Sequence, residues 1–148
     1  MRKYIAAAAF WLYLAVLLRI TVFRSGWYQH DFCSGSIELI PFRTIFTYLS
    51  AGQWRYFLYL FGGNVFWFLP FGFYGAARER GFAVTILLSA LLSLTIEILQ
   101  FVLGSGCTET EDILLNTLGG ALGWLVFRGI KRRRKKKASF AEKIVKNS

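Results

Sequence analysis

Cysteine, proline, histidine and acidic residues are all scarce in this 148-residue chain. It holds two Cys, two Pro, one His and eight Asp or Glu, against eighteen Lys or Arg. Two cysteines cannot staple a small disulfide scaffold; at most Cys33 pairs with Cys107, and two unrelated thiols are the alternative. His30 has no second ligand at metal spacing, so no metal site is expected. There is no Gly-rich phosphate loop, serine nucleophile elbow or zinc motif. Whether the chain is an enzyme stays open, and no cofactor is expected.

What is present is apolar. Hydrophobic residues make up 55% of the chain, aromatics 18%, and mean hydropathy is +0.45. These residues sit in long runs, a membrane composition rather than that of a soluble domain with one modest core. Four runs approach the roughly 20 residues that a spanning helix needs. They cover about 4–23, 54–77, 82–103 and 113–130. The first carries only Arg19, near its end, where the side chain can snorkel. It has the basic start of a signal peptide but is long for one and lacks a convincing cleavage site, so an uncleaved anchor is expected. The second is aromatic-rich and interrupted by Pro70. Residues 24–53 are too polar to span, although 37–49 can lie as an interfacial or re-entrant element. The predicted fold is therefore all-α: four transmembrane helices in residues 1–130, with such an element in the first outer loop, followed by a basic tail, 131–148.

Charge orients this bundle. Residues 131–137 are seven consecutive Lys or Arg, directly abutting the fourth run. Such a run reads as a stop-transfer signal that also attracts anionic lipid, not as a nucleic-acid site. With Arg2, Lys3, Arg78 and Arg80 on the same side, both termini are expected in the cytoplasm. The acidic loop Glu109, Glu111 and Asp112 then falls outside, together with Arg24, Arg43 and Arg55.

Polar residues inside the runs carry the functional signal, because an ionisable group at membrane depth is costly unless it faces a polar interior. Ser89, Ser93, Glu97, Gln100 and Gly104 recur at helical spacing and form one stripe. Asp112, Asn116, Gly119 or Gly120, and Gly123 form another; Gly119-x-x-x-Gly123 permits close helix approach. Asn64, Phe68, Gly72 and Gly75 form a third. Packed together, the stripes place Asn64, Glu97, Gln100, Asn116 and Asp112 around one outward-facing pocket. Asn64 and Gln100 can equally be interhelical adhesive, and Thr108-x-x-Glu111 fits a capping box. A carboxylate is a costly adhesive, which sets Glu97 apart. Arg43, after Ile40-Pro41-Phe42, can meet a phosphate or carboxylate, or serve as an ordinary interfacial arginine.

Four blocks together resemble the VanZ-like family: residues 38–45 (ELIPFRTI), 63–73 (GNVFWFLPFGF), 93–100 (SLTIEILQ) and 111–120 (EDILLNTLGG). The resemblance implies a multi-helix bacterial membrane protein whose family is linked to resistance against teicoplanin-type glycopeptides. It also implies that Asn64, Glu97, Gln100, Asp112 and Asn116 are recurrent polar positions. The chain departs from the family pattern at Glu38, where Asn is common, and at Ser105-Gly106-Cys107, where an arginine often precedes the acidic block. Two functions follow as expectations. One is an accessory envelope protein whose pocket, with Arg43, binds a lipid headgroup, cell-wall precursor or envelope protein. The other is a membrane enzyme on a lipid-linked substrate, with Glu97 as general acid or base and Asp112 as its partner or as a metal ligand. A proton-coupled carrier would need more than four helices or an oligomer. Oligomeric state is not encoded in any feature of the sequence.

Overall fold

The computed structural model describes residues 2–23 and 36–147. Each apolar run forms a helix: α1 (Arg2–Thr21), α3 (Trp54–Ala77), α4 (Phe82–Val102) and the start of α5 (Thr110–Asn147). A short helix, α2 (Arg43–Ser50), precedes α3, and two three-residue strands, β1 (Ser36–Glu38) and β2 (Cys107–Glu109), lie in the connections. At 1.5 Å per residue, the 21 residues of α4 rise about 30 Å, the thickness of a hydrocarbon core. All four long helices are apolar enough to cross a membrane. Their outer faces carry exposed Trp11, Leu87, Ile98 and Leu125, as lipid contact requires.

The helices pack by two different means. α3 and α5 meet almost backbone to backbone, because glycine lines the contact. A Cβ on Gly72 would fall onto the Gly120 carbonyl, and one on Gly123 onto the Leu69 carbonyl. One on Gly75 would lie 2.8 Å from the Thr85 side chain of α4. Small residues substitute here for a hydrophobic driving force, which lipid does not supply between helices. α1 instead packs by side chains. Leu17 and Val22 join Phe68 and Ile96 in the apolar core, and Phe10 stacks on Tyr74 at 3.8 Å.

The two ends of the bundle differ. At one, the α3–α4 turn docks on α5: Trp124 Nε1 donates to the Arg80 carbonyl (3.0 Å) and Lys131 Nζ to Glu79 Oε1 (2.8 Å). α5 then continues past residue 130, where the sequence suggested an end, to Asn147. Lys, Arg and Ala are good helix formers, so the basic run extends the helix rather than ending it.

At the other end, the loops close into a cap. α4 stops at Gly104, whose φ of 60° suits glycine, and the Ser105 N–H bonds back to the Gln100 carbonyl (3.0 Å). The chain then runs straight through β2, which pairs in parallel with β1, Ile37 opposite Thr108. α2 lies beside this pair with Ile45 buried. The Ile45 backbone N–H bonds to Glu111, itself only 3% exposed, so α2 is tied to the start of α5. Arg24, His30 and Cys33 lie outside the described residues, and with Cys33 the Cys33–Cys107 pairing.

Candidate functional site

Below the cap, between α1, α3, α4 and α5, lies a cavity of about 510 Å³. α3 contributes Tyr59, Gly63, Asn64 and Trp67; α4 contributes Ile96, Glu97 and Gln100; α5 contributes Asp112 and Asn116; α1 contributes Arg19 and Thr21. Five of the six binding candidates named from the sequence therefore meet around one space. The reason is periodicity. Residues three or four apart share a helix face, and each helix turns its polar face to the others because the alternative is lipid.

Glu97 carries the most enclosed carboxyl group among the described residues, 1% exposed. A charged residue at a helix centre costs about 2.5–3.5 kcal/mol to insert, an upper bound for Glu97, which lies toward the C-terminal end of α4. The cap offsets part of this cost. The Glu109 N–H donates to Glu97 Oε2 at 3.0 Å, and the Thr108 hydroxyl to the Glu97 carbonyl at 3.0 Å. The strand pairing of 107–109 holds both donors in place. Thr108 thus binds α4, and α5 begins two residues later, at Thr110.

The amides are anchored in turn. Asn64 Nδ2 donates to Asp112 Oδ1 (2.5 Å), Asn116 Nδ2 to Ser93 Oγ (2.8 Å) and Gln100 Nε2 to the Thr21 carbonyl (3.2 Å). Each contact joins two different helices. The last brings α1 into the network, as does the Tyr13 hydroxyl donating to the Trp67 carbonyl (2.6 Å). Among the described residues, Gln100 Oε1 is a buried acceptor for which no hydrogen bond is found.

Arg43 is not brought to the cavity. Its guanidinium pairs with Glu38 Oε2 at 3.0 Å, and Glu38 Oε1 accepts the Ile40 N–H at 3.1 Å. Arg43 lines a separate open groove with Ile40, Pro41, Phe46 and Leu49. The cation at the cavity is Arg19, which the sequence presented only as a snorkelling residue near a helix end. It donates to the Phe23 carbonyl, and among the described residues no carboxylate forms an ion pair with it. Its one sequence signal was being the sole charge in its run. Glu111 was also missed: it read as a capping acid, yet it is buried and holds α2.

Chemically, the site offers two carboxyl groups and three anchored amides facing a guanidinium and two aromatic rings. Among the described residues no three His, Cys, Asp or Glu side chains gather as a metal would require.

A family described as VanZ/LLP1 matches residues 10–132. The chain is similar to Protein VanZ of Enterococcus faecium, with 30% identity over 128 residues, spanning 83% of this chain and 73% of that protein. No solved structure matches.

Proposed function

The chain belongs to the VanZ-like family and is a multi-pass membrane protein, and from that premise we propose that its cavity binds the polar headgroup of an envelope lipid or cell-wall precursor. Occupancy would change how teicoplanin-type glycopeptides meet the cell surface. The observation that carries this reading is convergence. Four helices from separate parts of the sequence turn polar groups into one space large enough for a headgroup, whereas adhesion alone needs no cavity. The same reading places the protein in the bacterial cell membrane with both termini cytoplasmic. It rests on the basic residues at 2–3, 78–80 and 131–137, which put the capped end and the cavity on the outer side.

A second reading draws on one specific observation, that Glu97 and Asp112 line the same cavity. Two carboxyl groups in unlike surroundings suit general acid–base chemistry on a lipid-linked substrate. Teicoplanin susceptibility of cells producing equal amounts of each variant separates the two. A binder keeps part of its effect in Glu97→Gln, which preserves size and hydrogen bonding, and loses it in Glu97→Ala. An enzyme loses it in both. Wild-type behaviour of both variants would remove Glu97 from the function altogether.

A further inference from the structure

The cavity opens to one side. Its lining on α4 and α5 is buried at Ile96, Glu97 and Asn116, whereas its lining on α1 and α3 is exposed at Arg19, Tyr59 and Trp67. The mouth therefore lies between α1 and α3. The course of α1 explains this. Midway along, α1 leans on α3: Phe10 packs against Phe71 and Tyr74, and the Tyr13 hydroxyl bonds to the Trp67 carbonyl. At its end it meets α4 instead, where the Thr21 carbonyl accepts from Gln100. α1 and α3 thus part toward the capped end, and the cleft between them leads into the cavity. The α3–α5 side is shut by backbone contact, since a Cβ on Gly119 would fall onto the Val65 carbonyl.

The mouth borders lipid. Leu58 and Phe66, each one residue before Tyr59 and Trp67 on the spanning helix α3, are 63% and 64% exposed. The cleft is thus continuous with the lipid-contacting face of α3. Its walls are Ile20, Leu60 and the two aromatic rings, while the polar side chains of α4 and α5 lie further in. Among the described lining residues Arg19 is the only cation. Its guanidinium carries five N–H donors, and one bond is made, to the Phe23 carbonyl.

We propose that the occupant is a phosphate-bearing membrane lipid seated sideways in the α1–α3 cleft. Its phosphate lies on Arg19, the rest of its headgroup turns in toward Asn64 and Gln100, and its acyl chains stay in the bilayer along Tyr59 and Trp67. This rests on the binding reading above and adds the ligand class and its side of approach. An apolar mouth, a cation and a polar interior follow one another in the order of a phospholipid's own parts: chains, phosphate, headgroup. The guanidinium takes a phosphate in a charge-assisted, bidentate contact. The titratable groups deeper in, Glu97 and Asp112, are acids, which leaves the phosphate its place at the mouth.

The test is native mass spectrometry of the detergent-purified full chain with dioleoylphosphatidylglycerol and glucosyl dioleoylglycerol. The two share their acyl chains and a polyol head and differ in the phosphate. Glycerol 3-phosphate serves as soluble competitor. The phospholipid is expected to be retained at least about tenfold better than the glucolipid, the worth of one charge-assisted hydrogen bond. Arg19→Ala lowers its retention to that of the glucolipid, and Arg19→Lys, which keeps the charge without the planar fork, falls between. Equimolar glycerol 3-phosphate, lacking chains, does not displace it. Gly63→Leu is the blocking control and releases both lipids: Gly63 lines the cavity, and a Cβ there meets no heavy atom within 4 Å. If Gly63→Leu releases both lipids but wild type retains them equally, or Arg19→Ala holds the phospholipid as wild type does, the phosphate assignment is overturned and the binding reading stands. Displacement by equimolar glycerol 3-phosphate, or retention of neither lipid by wild type, overturns the membrane lipid as occupant. If Gly63→Leu retains both lipids as wild type does, the cavity is not a binding site and both readings fall.

Discussion

Two glycines on α3, nine residues apart, should respond oppositely to alanine. Gly72 faces α5. A methyl there falls onto the Gly120 carbonyl, with the Gly120 Cα 2.9 Å away, and every obstacle is backbone. Overpacking of this kind typically costs about 1–3 kcal/mol, and the upper end applies because no side chain can rotate away. Gly63 meets nothing within 4 Å, so alanine there gains helix propensity, worth about 1 kcal/mol. The two variants should therefore differ by about 2–4 kcal/mol, the sum of these terms. Unfolding by sodium dodecyl sulfate in mixed micelles, followed by tryptophan fluorescence, reads the difference directly. Equal midpoints for Gly72→Ala and Gly63→Ala would refute the backbone contact of α3 with α5, and with it the seating of Asn64 against Asp112.

Three further outcomes follow from the geometry. Asn116→Leu removes the bond to the Ser93 hydroxyl and should cost about 0.6–2 kcal/mol in the same unfolding assay, the range for interhelical hydrogen bonds in lipid. Cysteines placed at Asn64 and Asp112, with Cys33 and Cys107 replaced by Ser, should cross-link under mild oxidation, whereas a pair at Tyr59 and Asn116 should not. Glu79, in the α3–α4 turn, has its carboxyl pKa held below the usual 4.5, first by the Lys131 hydrogen bond and then by the Lys131 charge. A lowered folded-state pKa stabilises above the unfolded value and is lost as pH falls through the folded one. Lys131→Ala should thus lower the unfolding midpoint slightly at pH 7, and the gap to wild type should close below pH 4.5.

The parts of this architecture that periodicity governs were readable from the chain. Ser89, Ser93 and Glu97 recur every four residues and are all buried. Gly119 and Gly123 lie against Val65 and Leu69, as their spacing suggested. Bilayer cost makes such patterns sharp, because a polar residue has only one tolerable direction. The cap was not readable. β1 and β2 are three residues each and pair across some seventy residues of chain, too short for any alternation to register. The contacts of Glu38, Glu109 and Glu111 depend on that pairing, so the sequence offered Glu111 only as a capping acid and gave no sign of what Glu38 and Glu109 bind. Arg19 was visible but ambiguous, since a cation near a helix end can snorkel or turn inward. Only the packing of α1 against α3 and α4 decides which.

The central claim is that Glu97 faces a shared polar cavity occupied by a headgroup. A density map of the protein in nanodiscs made from bacterial envelope lipid tests it most directly. The account predicts Glu97 turned toward Asn64 and Asn116, with elongated density running from Arg19 to Gln100. A map with Glu97 among acyl chains, or with the cavity closed and empty in that lipid, would contradict it.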